Sequence, residues 1–324
     1  MTATNLPTIA EIEAAVAVVR RHLAVTPLLR HPGLCALVGT EVRVKHEEHH
    51  GVGAFKVRGG VVLAERLDDA ARRAGLVTAS TGNHGQSIAY AGRVAGVPVT
   101  VAVPERANSA KVAAMRALGA EVVEAGKDFD DARAWAAERA AGTGARFVGA
   151  TEPELLAGVG TATLEILEQD PTVEVIIVAV GGGSGAASAC LVTAARAPHV
   201  EVIAVQAEAA PAAYRSWREG RLVEADCSTA AEGVATRVPF ANTQAVLRDR
   251  LADFVLVSEE ELRAAAVAYV AHAHSLAELA GAASLAAAVK LRDRLAGRRV
   301  AVVLSGGNVT VDQLRALLAP AGRI

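Results

Sequence analysis

VIIVAVGGGSGAASACLVTAA, residues 175–195, carries no charged side chain and is about long enough to be mistaken for a membrane span. Its middle forbids that reading. Gly181, Gly182, Gly183, Ser184 and Gly185 are consecutive poor helix formers, and they split the stretch into a β-branched strand over 175–180 and an alanine-rich helix over 186–195. A strand that feeds a helix through a glycine turn is a unit of a parallel sheet covered by helices. The same turn offers successive backbone N–H groups at a helix N-terminus with no side chains in the way, which suits a phosphate. The turn lacks the lysine of G-x-x-x-x-G-K-[ST], which argues against a nucleoside triphosphate. Gly181, Gly183 and Ala186 match the dinucleotide pattern G-x-G-x-x-G only loosely, with no persuasive ribose-binding acid after the next strand, and leave that ligand open.

Outward from this unit the pattern repeats. Further strand candidates occupy 97–103, 121–123, 147–148, 200–205, 254–257 and 300–304, with alanine-rich helical stretches between them. Gly96 and Gly119 stop the helices expected over 84–95 and 109–118, while Thr8 with Glu11 and Ser258 with Glu261 form capping boxes that open two others. The expected class is α/β, with mostly parallel twisted sheets flanked by helices. A chain of 324 residues, 52% of them hydrophobic, is long enough for two domains. The run from 75 to 146 is expected to form the smaller one, with 1–74 and 147–324 making the larger.

Composition narrows the partners. Formal net charge is −2 with both signs interspersed, and aromatic residues make up 3%, so the chain has no electrostatic footprint for nucleic acid and few rings for stacking on bases. Cys35, Cys190 and Cys227 are far apart and show no C-x-x-C spacing, which speaks against a disulfide framework or a cysteine zinc site. With no basic segment and apolar run at its start, the chain is expected to be cytoplasmic, to span no membrane and to act on a small molecule.

Residues 44–60, VKHEEHHGVGAFKVRGG, hold two competing chemistries. His46-Glu47-Glu48-His49-His50 satisfies H-E-x-x-H, which needs a helix to bring both histidines to one metal. Residues 41–45 alternate like a strand, Gly51 and Gly53 follow at once, and His84, His272 and His274 lie too far off to be an obvious third ligand, so no catalytic metal is expected. Lys56, beside Phe55 and before an Arg58-Gly59-Gly60 turn, is instead a candidate covalent amine. A second loop, Ser80-Thr81-Gly82-Asn83-His84-Gly85-Gln86, sits between a strand and a helix. It suits a carboxylate, although Thr81 or Asn83 could there be an ordinary N-cap. Ser305, at the end of the last strand, could bond a pyridine nitrogen without giving it a full proton. Amine, carboxylate loop, phosphate loop and ring partner together describe a pyridoxal phosphate site.

The Ala54-Phe55-Lys56-Val57-Arg58-Gly59 run, the Ser80–Gln86 loop, the glycine loop and the final Ser305-Gly306-Gly307-Asn308, in that order, resemble the fold-type II pyridoxal-phosphate enzymes of the serine/threonine dehydratase and serine racemase group. The resemblance runs from Thr26-Pro27-Leu28 to Asn308 and implies the two-domain tryptophan-synthase-β-like fold and a homodimer. It implies that Lys56 carries the Schiff base and acts as base at Cα, and that Phe55 and Asn83 touch the ring. Gly181, Gly182, Gly183 and Ser184 would hold the phosphate, Ser305 the ring nitrogen, and Ser80, Thr81, Gly82, Asn83 and His84 the substrate carboxylate. The reaction implied is loss of water and ammonia from a β-hydroxy amino acid, by the short catabolic form of the enzyme. Racemisation, with Thr81 as the acid on the opposite ring face, is the nearest alternative, and a non-catalytic binding paralogue is another.

Some positions depart from the group. Val52 and Ala54 replace two hydroxyl residues, residues 147–151 replace a His-Pro ahead of Glu152-Pro153, and Val159 replaces a glutamine. Together with His49 and His50, Val52 points to an unusual, less polar wall and to a larger or more apolar substrate side chain. The group's divalent-cation positions fall on Glu208, Ala212 and Tyr214, and tyrosine is no substitute for a hard carboxylate ligand.

Overall fold

The computed structural model describes residues 6–319. Its strands are β1 (Leu28–Arg30), β2 (Glu41–His46), β3 (Leu76–Ala79), β4 (Val99–Val103), β5 (Glu121–Glu124), β6 (Arg146–Phe147), β7 (Val175–Ala179), β8 (Glu201–Ala207), β9 (Asp253–Val257) and β10 (Arg299–Leu304). They form a 6-stranded sheet, order β1-β2-β10-β7-β8-β9, and a 4-stranded sheet, order β5-β4-β3-β6. Every pairing is parallel except β1 with β2. The α/β expectation therefore holds, and the reason is visible in β7: Val175, Ile176, Ile177 and Val178 are all buried, as a parallel strand covered on both faces requires. Among the described residues no helix is long and apolar enough to cross a membrane, and the stretch that mimics one is β7, the glycine turn and the helix Ser184–Arg196.

The chain divides into two compact units. The larger contains 25–55 and 162–319, and with them the 6-stranded sheet. Its core includes Val175, Ile177, Ile203, Val205, Val302 and Leu285. The smaller contains 6–24 together with 56–161, a wider span than 75–146, and holds the 4-stranded sheet over a core that includes Leu63, Ile88, Val101 and Met115. Each such fully buried side chain contributes about 1.5–3 kcal/mol. The extra helices belong to this unit because absent side chains let backbones touch. A Cβ on Gly60, in the helix Val57–Glu65, would lie 2.5 Å from the Ser87 carbonyl oxygen in the helix Asn83–Ala95. One on Gly158 would lie 2.2 Å from the Arg58 carbonyl.

Local signals account for most boundaries. Both expected capping boxes are present, Thr8 with Glu11 and Ser258 with Glu261, and a third pairs Thr310 with Gln313. Gly96 ends its helix in the left-handed conformation at φ 68°, which favours glycine.

Candidate active site

In the larger unit β7 runs into the glycine turn, and the helix Ser184–Arg196 begins after Gly183, which sits at φ 84° and provides no side-chain cap. The N-terminal N–H groups of that helix are therefore not consumed by a cap at this position. The turn is also packed too tightly for side chains. A Cβ at Gly181 would lie 2.2 Å from the Gly233 carbonyl oxygen, and one at Gly183 would lie 2.9 Å from Thr243 Oγ1. The Thr243 hydroxyl donates to the Gly182 carbonyl at 2.8 Å, so that acceptor is engaged within the protein. A bare turn of this kind fits a phosphate.

Phe55 links this turn to the end of the last strand. Its ring stands 3.5 Å from the Cβ position of Gly185, and its N–H donates to the Ser305 carbonyl at 3.1 Å. Ala54 forms a bridge with Gly306, the Gly307 N–H donates to the Gly53 carbonyl at 2.9 Å, and Asn308 Nδ2 donates to the Val52 carbonyl at 2.9 Å. Residues 52–55 and 305–308 are thereby held together, and the unit brings Phe55, the glycine turn and the partly buried Ser305 into one region. A hydroxyl, an aromatic face and a bare N–H turn are a donor set that fits pyridoxal phosphate.

Lys56 is the first residue of the smaller unit's second segment and the N-cap of the helix Val57–Glu65. Its carbonyl accepts from Ser87 Oγ at 2.6 Å and from the Gly59 and Gly60 N–H groups, which fixes the backbone from which the amine extends. Burial disfavours the ammonium and lowers its pKa to about 8, so a substantial neutral fraction exists near neutrality.

In the same unit β3 ends where the Ser80 N–H donates to the Ala102 carbonyl at 3.1 Å, and the Gly82 N–H then donates to Ser80 Oγ at 3.2 Å. Gly82, and neither Thr81 nor Asn83, is the N-cap of the helix Asn83–Ala95, and no side chain caps it. The ordinary N-cap alternative is not what forms here. His84 lies just inside that helix. The Thr78 hydroxyl spends its one proton on the Val148 carbonyl at 2.8 Å, so toward His84 Nε2, at 3.0 Å, it can only accept. Val148 O, at 3.4 Å from the same nitrogen, is likewise an acceptor. Nε2 therefore carries the proton. Burial, then the charge of Lys56, lower the His84 pKa to about 4 against a small opposing effect of Val148, leaving a neutral ring near neutral pH.

The H-E-x-x-H stretch is not helical: β2 ends at His46, and Glu47–His49 make a single 3-10 turn. His50 turns to Glu47, its Nε2 3.4 Å from Glu47 Oε2, so His46 and His50 do not form the helical ligand pair. Behind the turn lies a buried polar network that no spacing announced. Lys45 Nζ bonds Glu165 Oε2 at 2.6 Å, the Thr26 carbonyl at 2.7 Å and Gln169 Oε1 at 3.0 Å, while Thr26 Oγ1 donates to Glu47 Oε1 at 2.7 Å. Thr78, Ser87 and Thr243, which orient the loops, were equally absent from the sequence reading; their partners lie 70, 31 and 61 positions away.

At the cation positions, Lys290 Nζ stands 3.2 Å from Glu208 Oε1 and 3.1 Å from Glu261 Oε2. Burial alone would lower the Lys290 pKa, but its bonds to Glu261 and Glu208 outweigh this and raise it. Tyr214 packs its ring edge-on to Phe254, centroids 5.7 Å apart.

Comparison with known proteins agrees with this geometry. Residues 19–306 match the family model described as pyridoxal-phosphate dependent enzyme. The chain is 37% identical to the L-threonine ammonia-lyase of Geobacter sulfurreducens over 94% of its own length and 77% of the relative's. It is 33% identical to an L-threo-3-hydroxyaspartate ammonia-lyase of a Pseudomonas species, over 90% and 92% of the two chains. The structure of maize serine racemase superposes with a TM-score of 0.91 at 26% identity, covering 96% of each chain.

Proposed function

The chain belongs to the pyridoxal-phosphate dependent enzyme family, and from that premise we propose that it removes the β-hydroxyl and the amino group of a β-hydroxy amino acid of the serine/threonine type, leaving a 2-oxo acid and ammonia. The observation that supports this most is Lys56 at the start of the helix Val57–Glu65, an amine whose pKa burial lowers to about 8. Bound pyridoxal phosphate supplies an electron sink for negative charge developing at the substrate Cα.

The residues of the chain do the rest. Lys56 Nζ would hold the cofactor covalently and, as a free amine, would take the substrate Cα proton. The N–H groups of Gly181, Gly182, Gly183 and Ser184 would hold the phosphate, while Phe55 would lie against the ring and Asn83 would bond its 3′-oxygen. Ser305 would meet the ring nitrogen as a neutral hydrogen-bond partner, which would keep that nitrogen from carrying a full charge. Ser80, Thr81, Gly82 and Asn83 bind the substrate carboxylate, and His84, whose Nε2 proton is already engaged by Thr78, joins through its backbone N–H. The β-hydroxyl would leave as water with the proton that Lys56 Nζ took from Cα, and the released enamine would then take up water and yield the 2-oxo acid and ammonia.

Val52 and Ala54, both buried where hydroxyl residues are usual, support a side chain larger or more apolar than that of serine. Free cysteines Cys35, Cys190 and Cys227 are consistent with a reducing cytoplasm, and a homodimer is the expected assembly. A second reading, racemisation with the Thr81 hydroxyl returning a proton from the opposite face, is favoured by the likeness to maize serine racemase.

Purified protein should absorb visible light, lose that absorbance on borohydride reduction, and lack it altogether as Lys56→Ala. Release of 2-oxo acid from threonine, serine and an aryl-substituted serine then ranks substrates. A clear preference for serine refutes the apolar-pocket reading. Recovery of D-amino acid without 2-oxo acid refutes elimination.

A further inference from the structure

His31, His46, His49, His50, His272 and His274 are six of the chain's nine histidines, and all belong to the larger unit. His46 and His49 stack with ring centroids 4.8 Å apart, and His31 meets His46 edge-on, Nε2 to Nε2 at 3.0 Å. Glu48 stands between the stacked rings. Its Oε1 is 2.7 Å from His46 Nδ1 and 3.4 Å from His49 Nε2, and one ligand atom from each of His46, Glu48 and His49 lies within 4.8 Å of the others. This is a different set from the zinc-protease spacing, which would use His50.

A second observation concerns charge. Glu48 is 7% exposed, and its Oε2 is buried with no hydrogen-bond partner. Tyr269, close enough to feel the charge of Glu48, has a buried hydroxyl with no partner either. An unpaired buried carboxylate oxygen is costly, and a cation relieves the cost. With metal–ligand bonds of about 2.0–2.2 Å, adjacent ligand atoms of a tetrahedral site stand about 3.4 Å apart. The Glu48–His49 separation of 3.4 Å already matches, and the 2.7 Å hydrogen bond between Glu48 and His46 opens by a few tenths of an ångström as the ion replaces its proton. His46 is fixed in the core, whereas the His49 side chain is half exposed and can swing to close the third edge and admit an ion from solvent.

From this geometry we propose that His46, Glu48 and His49 bind a divalent first-row transition ion of the zinc type, with imidazole nitrogen selecting it over magnesium or calcium. The site is separate from the cofactor residues but touches them: a Cβ on Gly307, two residues past Ser305, would lie 3.2 Å from Glu48 Cβ, and His46 pairs with Leu304 across the sheet. A bound ion braces the 3-10 turn that leads to Lys56 and takes no part in the reaction.

The test is calorimetric titration of the tag-free, chelator-washed holoenzyme with zinc chloride and, separately, magnesium chloride. One zinc per chain and no magnesium binding are expected, with zinc raising the melting temperature. Glu48→Gln and His49→Ala should each weaken zinc binding by about tenfold or more. Absence of stoichiometric zinc binding, or unchanged affinity in His49→Ala, overturns the proposal. His49→Ala, at a half-exposed position, decides it alone if Glu48→Gln fails to fold.

Discussion

Acid should attack this protein through His84. The ring is neutral in the folded state with its pKa lowered to about 4, against about 6.5 in an unfolded chain. Between those two values the unfolded chain binds a proton that the folded one refuses, so stability conferred by His84 is fully present above pH ~6.5 and falls as pH drops toward ~4. A difference of roughly 2.5 pKa units is worth about 3 kcal/mol, an upper figure because the residue is only partly buried and solvent screens part of it. Replacing His84 by Gln keeps a hydrogen-bond donor for Thr78 but removes the titration. Urea unfolding followed by circular dichroism at pH 7, 6, 5 and 4.5 should show wild type losing stability relative to His84→Gln by about 2–3 kcal/mol, a midpoint shift of about 1 M. Lys56→Ala, which removes the neighbouring charge, should narrow the window from below and leave the part due to burial. If wild type and His84→Gln run parallel from pH 7 to 4.5, the ring is not held neutral and the Thr78 tautomer argument fails.

Lys45→Met removes the ammonium that faces the buried Glu165 carboxylate at 2.6 Å and should cost about 3–5 kcal/mol in thermal or urea unfolding, part of which Glu165→Leu restores in the double variant. Gly181→Ala places a methyl 2.2 Å from the Gly233 carbonyl, so the turn must move. Cofactor retention through gel filtration should fall, with dissociation about tenfold tighter in wild type, and equal visible absorbance in both would contradict the cradle. Prolonged chelation should leave turnover within about twofold of the untreated value, because Lys290 already neutralises Glu208 and no charge there awaits an ion. Strict magnesium dependence would refute that assignment.

What could be read from the sequence was local. β7 and its glycine turn announce themselves because β-branched residues, then five poor helix formers, then alanines are each contiguous, and the capping boxes of Thr8 and Ser258 span three residues. Lys56 stood out by its small neighbours, and the strand character of 41–46 was enough to deny H-E-x-x-H its helix. The supports of those features are non-local. Nothing near Lys45 names Glu165, 120 positions on, and nothing near Gly182 names Thr243. The limits of the smaller unit are non-local in the same way, since they follow from contacts at Gly60 and Gly158 where the informative fact is a missing side chain. The histidine cluster shows the limit most sharply. A spacing rule paired His46 with His50 because it assumes one helix, whereas a strand running into a 3-10 turn puts His49 and Glu48 beside His46 and sends His50 to Glu47. Which side chains converge is thus decided by backbone conformation between them, so the same five residues deny one metal chemistry and supply the ligands for another.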